Sequence, residues 1–404
     1  MSLFTKIFGS KATSDSNAAE PQEAEFVAVL LMHQRGEQEP ALKGYQQIAA
    51  AFPDDAAAPF FAAAILAGKG EVVEAAQNLR SLSRRLSLVE DTIPRAVIGT
   101  LFALGGDQPL FRLPAVAEIS ANFGDLLKGA GFLQESAVCF EVAAGLIPDN
   151  AHVLHKLGDT LHDLRIYDYA EEVLQAAIEC APHHWGALYT YAVLLQDLGR
   201  NDEAIAYYER AVRLNPDHVN CQNNYGAALL RTNRLDEALV HCSRAAALDP
   251  KSPFVKVNLG NIYRLMHKYD KARTCFDEAI SLDANLAIAY FGLGSVEQAQ
   301  KGSSDRVREL YLKALEINPS IAEAHHALGI LLAEDGNPEA LAHFSVALQL
   351  NQDLKHLQKD CGKACLQLGR REEALAHLKT ALEQDPDDEV LREVVAKVEA
   401  ENQV

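Results

Sequence analysis

Apolar residues recur along this chain three and four positions apart, the spacing of one face of an α-helix. The stripes come in pairs. Between Trp185 and Pro216 the first stripe is Leu188, Tyr191, Ala192 and Leu195, and the second is Ala204, Ile205, Tyr208 and Ala211. Each stripe predicts one helix with that face buried. Leu198-Gly199-Arg200-Asn201 separates them, and Gly199 suits the left-handed conformation that ends a helix.

The pair is copied. Counting back from Pro250 in steps of 34 lands on Pro216, Pro182, Pro148 and Pro114. Counting forward, the same register falls on Ala284, Pro319, Gln352 and Pro386. One residue is gained and one lost beside Gly302-Ser303-Ser304 and Gly336-Asn337-Pro338. Length changes are tolerated in such turns. One position in the copy is tiny: Gly124, Gly158, Ala192, Gly226, Gly260, Gly294, Gly329 and Gly362. A second is mostly alanine, as in Ala170, Ala204 and Ala238, with Val307 as an exception. A third is alanine from Ala143 to Ala381. Between these last two sits a larger group: Phe140, Leu174, Tyr208, Cys242, Phe276, Tyr311, Phe344 and Leu378. Small residues let two helix backbones approach, and the larger side chain fills the gap beside them. The turn position carries Gly131, Gly199, Asn233, His267, Gly336 and Gly369, residue types that tolerate a left-handed backbone.

These residues resemble the tetratricopeptide repeat (TPR) family. Length, helix pair, small, alanine and aromatic positions and the terminal proline all coincide over residues 115–386, as eight units. The resemblance implies an all-α fold, a right-handed superhelical solenoid of antiparallel helix pairs. Two degenerate units are expected at 21–87, carried by Ala41, Tyr45, Ile48 and Pro53, then by Ala62, Ala63, Leu66, Ala75 and Leu79. Ile48 and Leu82 replace the expected alanine there, so wider packing is expected. The remaining organisation reads as a flexible leader over 1–20, an irregular junction or hinge over 88–114 with a helix near 95–104, and a C-terminal capping helix over 387–404.

Charge and composition narrow the function. A net charge of −19 disfavours nonspecific nucleic-acid binding, which depends on neutralising phosphates. No apolar run of about 18 residues is present to span a membrane. Leu3, Phe4, Ile7 and Phe8 share one face of the leader, the one segment suited to touching a membrane surface. Seven scattered cysteines, an odd number, fit a reducing, cytoplasmic setting. Cys180 is expected to pack inward near His183 and His184, and Cys361 and Cys365, four apart on a core stripe, are expected to be buried. There is no phosphate-cradling glycine loop, His-Glu-x-x-His or Gly-x-Ser-x-Gly. The reading is therefore a non-enzyme that needs no cofactor.

The resemblance implies ligand binding along the first helices of the pairs. The polar positions there nominate Tyr189, Asn220, Asn223, Asn224, Arg231, Asn258, Asn261 and Arg264. Asparagine amides donate and accept, so they can hold the backbone of an extended peptide, and arginine forks suit carboxylates. Asn224 and Asn258 share a register and resemble two rungs of the asparagine ladder of O-linked N-acetylglucosamine transferases; Lys156, Thr190, Gly292, Ala327 and Asp360 fill other rungs. The bland alternative is solvated surface. The carboxylate clamp of chaperone-binding TPR proteins has no counterpart in consecutive units. The expected function is a scaffold or adaptor capturing a protein or peptide segment. The alternatives are a substrate-recognition subunit of a separate enzyme, such as a glycosyltransferase, and a self-assembling scaffold. A metal alternative is His152, His155, Asp159 and His162, which share one helical face.

Overall fold

The structure, a computed structural model, describes residues 20–52, 55–85, 97, 113–352, 354 and 356–402. Among the described residues there are 21 helices and no strand. They run as pairs: α1 (Glu20–Gln34) with α2 (Gln38–Ala51), α3 (Ala57–Gly68) with α4 (Val72–Arg85), and α5 (Leu113–Gly129) with α6 (Leu133–Leu146). Next are α7 (Ala151–Asp163) with α8 (Tyr167–Cys180), α9 (Trp185–Asp197) with α10 (Asn201–Leu214), and α11 (Val219–Arg231) with α12 (Leu235–Leu248). Then come α13 (Pro253–Leu265) with α14 (Tyr269–Leu282), α15 (Ala287–Ala299) with α16 (Ser304–Ile317), and α17 (Ala322–Glu334) with α18 (Glu339–Leu350). The last are α19 (Leu357–Gln367) with α20 (Arg371–Gln384), followed by the single helix α21 (Glu389–Asn402). The leader and the helix expected near 95–104 lie outside the described residues, as does nearly all of the junction.

The chain divides into two compact units, Met1–Pro216 and Asp217–Val404. In the first, partners within a pair pack on each other, each second helix packs on the next first helix, as α6 on α7, and α7 also touches α9. In the second unit the same rule joins α12 to α13 and α18 to α19, while the first helices α11, α13 and α15 touch in sequence.

Residue size explains the packing. A Cβ added to Gly124 would lie 2.9 Å from the Phe140 ring, and one on Gly260 would lie 2.8 Å from Phe276. Gly226 meets the Cys242 sulfur in the same way, with the Ala238 carbonyl at 3.2 Å. The stripes read for Trp185–Pro216 are buried, as are the alanines from Ala143 to Ala381. Ile48 is buried as well, in place of alanine. At the turns, Gly131, Gly199, Asn233, His267, Gly336 and Gly369 all have positive φ. Arg165 and Lys301 do too, at the same register, although neither is a residue type that favours it. Backbone bonds impose the conformation: Ile166 N–H donates to Leu161 O at 2.9 Å and Gly302 N–H to Glu297 O at 2.8 Å. α21 buries Leu391, Val395 and Val398 and exposes Arg392, Glu393 and Lys397. No helix of the described residues is long and apolar enough to cross a membrane.

Candidate functional site

The central asparagines and arginines lie on α11 and α13. His218 caps α11, its Nδ1 accepting from Cys221 N–H at 3.1 Å. Pro253 opens α13 at its first turn, where a missing N–H does no harm. α11 buries Cys221, Tyr225, Gly226 and Leu229, which leaves Asn220 and Arg231 exposed and Asn223 and Asn224 half-buried. α13 buries Val255, Leu259 and Ile262 and leaves Asn258, Asn261 and Arg264 half-buried. Asn258 Nδ2 donates to Asn223 Oδ1 at 2.9 Å, and Asn223 Nδ2 donates to Asn224 Oδ1 at 3.5 Å. The link between the helices therefore runs through Asn223, one position before the same-register Asn224. Tyr189 lies in the first unit, on α9, with its ring 6.5 Å from Trp185 and 6.3 Å from Tyr208.

Arg264 is half-buried. It has no carboxylate partner among the described residues, and its Nε is buried without a hydrogen bond. Burial pulls its pKa down, opposed by the nearby Tyr311 and Tyr269. The Tyr311 hydroxyl is engaged, donating to Gln298 Oε1 at 2.7 Å. Two groups beside this site escaped the sequence reading. Phe254 is 58% exposed and Ile288 41% exposed, at the register of Asn220 on the next two first helices. The 34-residue step that aligned the core also aligns these three.

Elsewhere, polar residues of first helices are taken up by their neighbours. Lys128 binds Asp159 at 2.5 Å and Asp163 at 2.8 Å, Lys156 pairs with Asp125, and His326 meets Asp360 at 3.1 Å. His162 pairs with Asp197 at 2.9 Å. The structure thus does not gather His152, His155, Asp159 and His162 into one site, because Asp159 and His162 are held by neighbouring helices. Instead His152, His155 and His184 bring donor atoms within 4.8 Å of one another. His184 Nδ1, however, accepts from Ala187 N–H at 3.1 Å to cap α9. A neutral imidazole has one lone pair, so that ring is already committed. Burial pushes His155 down to about 4. Cys180 is exposed at the last position of α8, not packed inward, whereas Cys361 and Cys365 are buried. A cleft of about 510 Å³ lies against α16, lined by Tyr290, Arg306, Glu309, Leu310, Leu312, Lys313 and Glu316. None of these is a residue nominated from the sequence.

The tetratricopeptide repeat family matches at residues 189–253, 254–320, 310–340 and 331–398. The chain belongs to the tetratricopeptide repeat family. Among solved structures, it is similar to a TPR protein from Parabacteroides merdae at 18% identity, covering 61% of this chain and 98% of that one with a TM-score of 0.49. It is also similar to pilF of Pseudomonas aeruginosa at 21% identity, covering 52% and 95% with a TM-score of 0.43. YrrB, described as a TPR protein with an unusual peptide-binding site, is 23% identical, with coverage of 46% and 96% and a TM-score of 0.35. No curated protein sequence matches the chain. Membership of the TPR family supports a protein–protein interaction scaffold.

Proposed function

We propose that this TPR protein is a non-catalytic adaptor that holds an extended segment of a partner protein along α11, α13 and α15, with a partner carboxylate on Arg264. The observation that carries this reading is the Arg264 guanidinium, half-buried with its Nε unbonded and no acid beside it. A buried cation without a partner is unfavourable, and an incoming carboxylate relieves it. Asn220 and Asn261 supply amides for the segment's backbone. Phe254 and Ile288 supply apolar contact for its side chains.

The test is fluorescence polarisation against a random peptide library in acidic and charge-neutralised forms. Acidic peptides should bind. Arg264→Ala should weaken them by about 1.5–3 kcal/mol, the range for hydrogen bonds to charged groups. Phe254→Ala should weaken acidic and neutral peptides alike, and helicity should be unchanged in both variants. Equal affinity of Arg264→Ala and the native chain for acidic peptides would place the binding surface elsewhere.

A further inference from the structure

Cys361 and Cys365 sit one turn apart on α19, and His377 faces them from α20. Their donor atoms all lie within 4.8 Å of one another. His377 Nδ1 is 2.8 Å from Gln358 Oε1. An amide oxygen only accepts, so Nδ1 carries the proton and Nε2 keeps a free lone pair. A metal-binding imidazole is oriented in this way, its other ring N–H donating to an oxygen acceptor.

The same chain contains a comparison 136 residues earlier, four repeats back. There His241 Nδ1 lies 2.8 Å from Gln222 Oε1, and Arg234 pairs with Glu237 as Arg370 does with Glu373. The residues at the two cysteine registers are Tyr225 and Leu229, and the Tyr225 ring lies tilted against His241 with centroids 4.1 Å apart. The frame is kept, and the two residues at the cysteine registers differ. In α19 they are thiols.

We propose that Cys361, Cys365 and His377 Nε2 bind a zinc-class divalent cation, with water in the fourth position. Two thiolates and one imidazole from two helices match the donors of tetrahedral zinc sites. Tetrahedral bonding needs donor separations of about 3.5–3.8 Å, so a spacing of up to 4.8 Å closes by at most about 1.3 Å through χ rotations. Binding forms two metal–sulfur bonds, breaks two S–H bonds and releases two protons to solvent. Burial pushes the Cys361 thiol up to about 12, so the empty site holds neutral thiols, and the cation's charge drives their ionisation.

The experiment uses the reduced, chelator-treated full chain without a polyhistidine tag, titrated with Co²⁺ and back-titrated with Zn²⁺. One equivalent of cobalt should give a sulfur-to-cobalt charge-transfer band that Zn²⁺ abolishes, with about two protons released. The change His377→Gln, at a half-buried position, should lower affinity by at least about 10–100-fold, the loss seen for removing even an outer partner. His241→Gln, at the equivalent register, should leave the band intact. Absence of the band in the native chain overturns the proposal. So does a band that survives Cys361→Ser/Cys365→Ser, or one unaltered in His377→Gln. Circular dichroism confirms folding, and His377→Gln decides alone if the double cysteine variant unfolds.

Discussion

His33 shows how one buried side chain ties stability to pH. Its ring packs edge-on against Tyr45 and Phe61, at 5.8 and 6.5 Å, and its Nδ1 is 3.4 Å from the Tyr45 hydroxyl. Burial pushes its pKa from 6.5 down to about 4. The unfolded chain therefore takes up a proton near pH 6.5, while the folded chain refuses it until about pH 4. The stabilisation is complete above pH 6.5 and is lost as pH falls toward 4. Urea midpoints of helicity should fall from pH 7 to pH 4.5, and His33→Gln should flatten that fall. Identical slopes for both proteins would show that His33 does not carry it. His155 is pushed down to about 4 as well, and His152, His218, His241, His343 and His377 are also depressed, chiefly by burial, so some slope remains in the variant.

At the scale of the element, what was legible in the sequence is what residue size alone decides. Gly226 against Cys242 and Gly260 against Phe276 could be read from their letters, because close helix approach excludes a side chain. Conformations imposed by the backbone could not. Arg165 and Lys301 enter the left-handed region because closing hydrogen bonds of the turn demand it, whatever residue is present. The caps by His184 and His218 were equally hidden, since imidazole is not among the usual capping side chains. For the candidate site, the sequence named Asn223, Asn258 and Arg264. It could not show that Asn258 reaches Asn223, or that Arg264 lacks an acid among the described residues, because both depend on helix rotation between neighbours. Arg165 offers a direct test. The left-handed conformation costs a non-glycine residue about 1–2 kcal/mol, and glycine's extra chain entropy costs about 0.5–1. Arg165→Gly should thus stabilise by about 0.5–1 kcal/mol, seen as a higher melting temperature. A lower one would mean that the exposed Arg165 side chain makes contacts that outweigh its backbone strain.

Across the whole molecule, contacts run between sequence neighbours, so stability is a sum of local interfaces. Within the second unit, α11 and α12 touch α13, and α19 and α20 touch α18 and α21; the two sets share no helix. Gly226→Leu probes this locality. Any side chain at that position meets the Cys242 sulfur and the α12 backbone, with Ala238 O and Cys242 N both at 3.2 Å. α12 must then move away from α11, and overpacking of this kind costs about 1–3 kcal/mol. In a globule with one core the loss would be felt everywhere. In this architecture it should stay near α11–α13. Hydrogen exchange should accelerate in α11, α12 and the start of α13, while amides of α17–α20 keep their protection. Uniform acceleration through α20 would mean that the second unit unfolds as one cooperative body. Local acceleration would mean that the α11–α13 surface can be loosened separately, so that changes in peptide affinity there can be measured on an otherwise intact array.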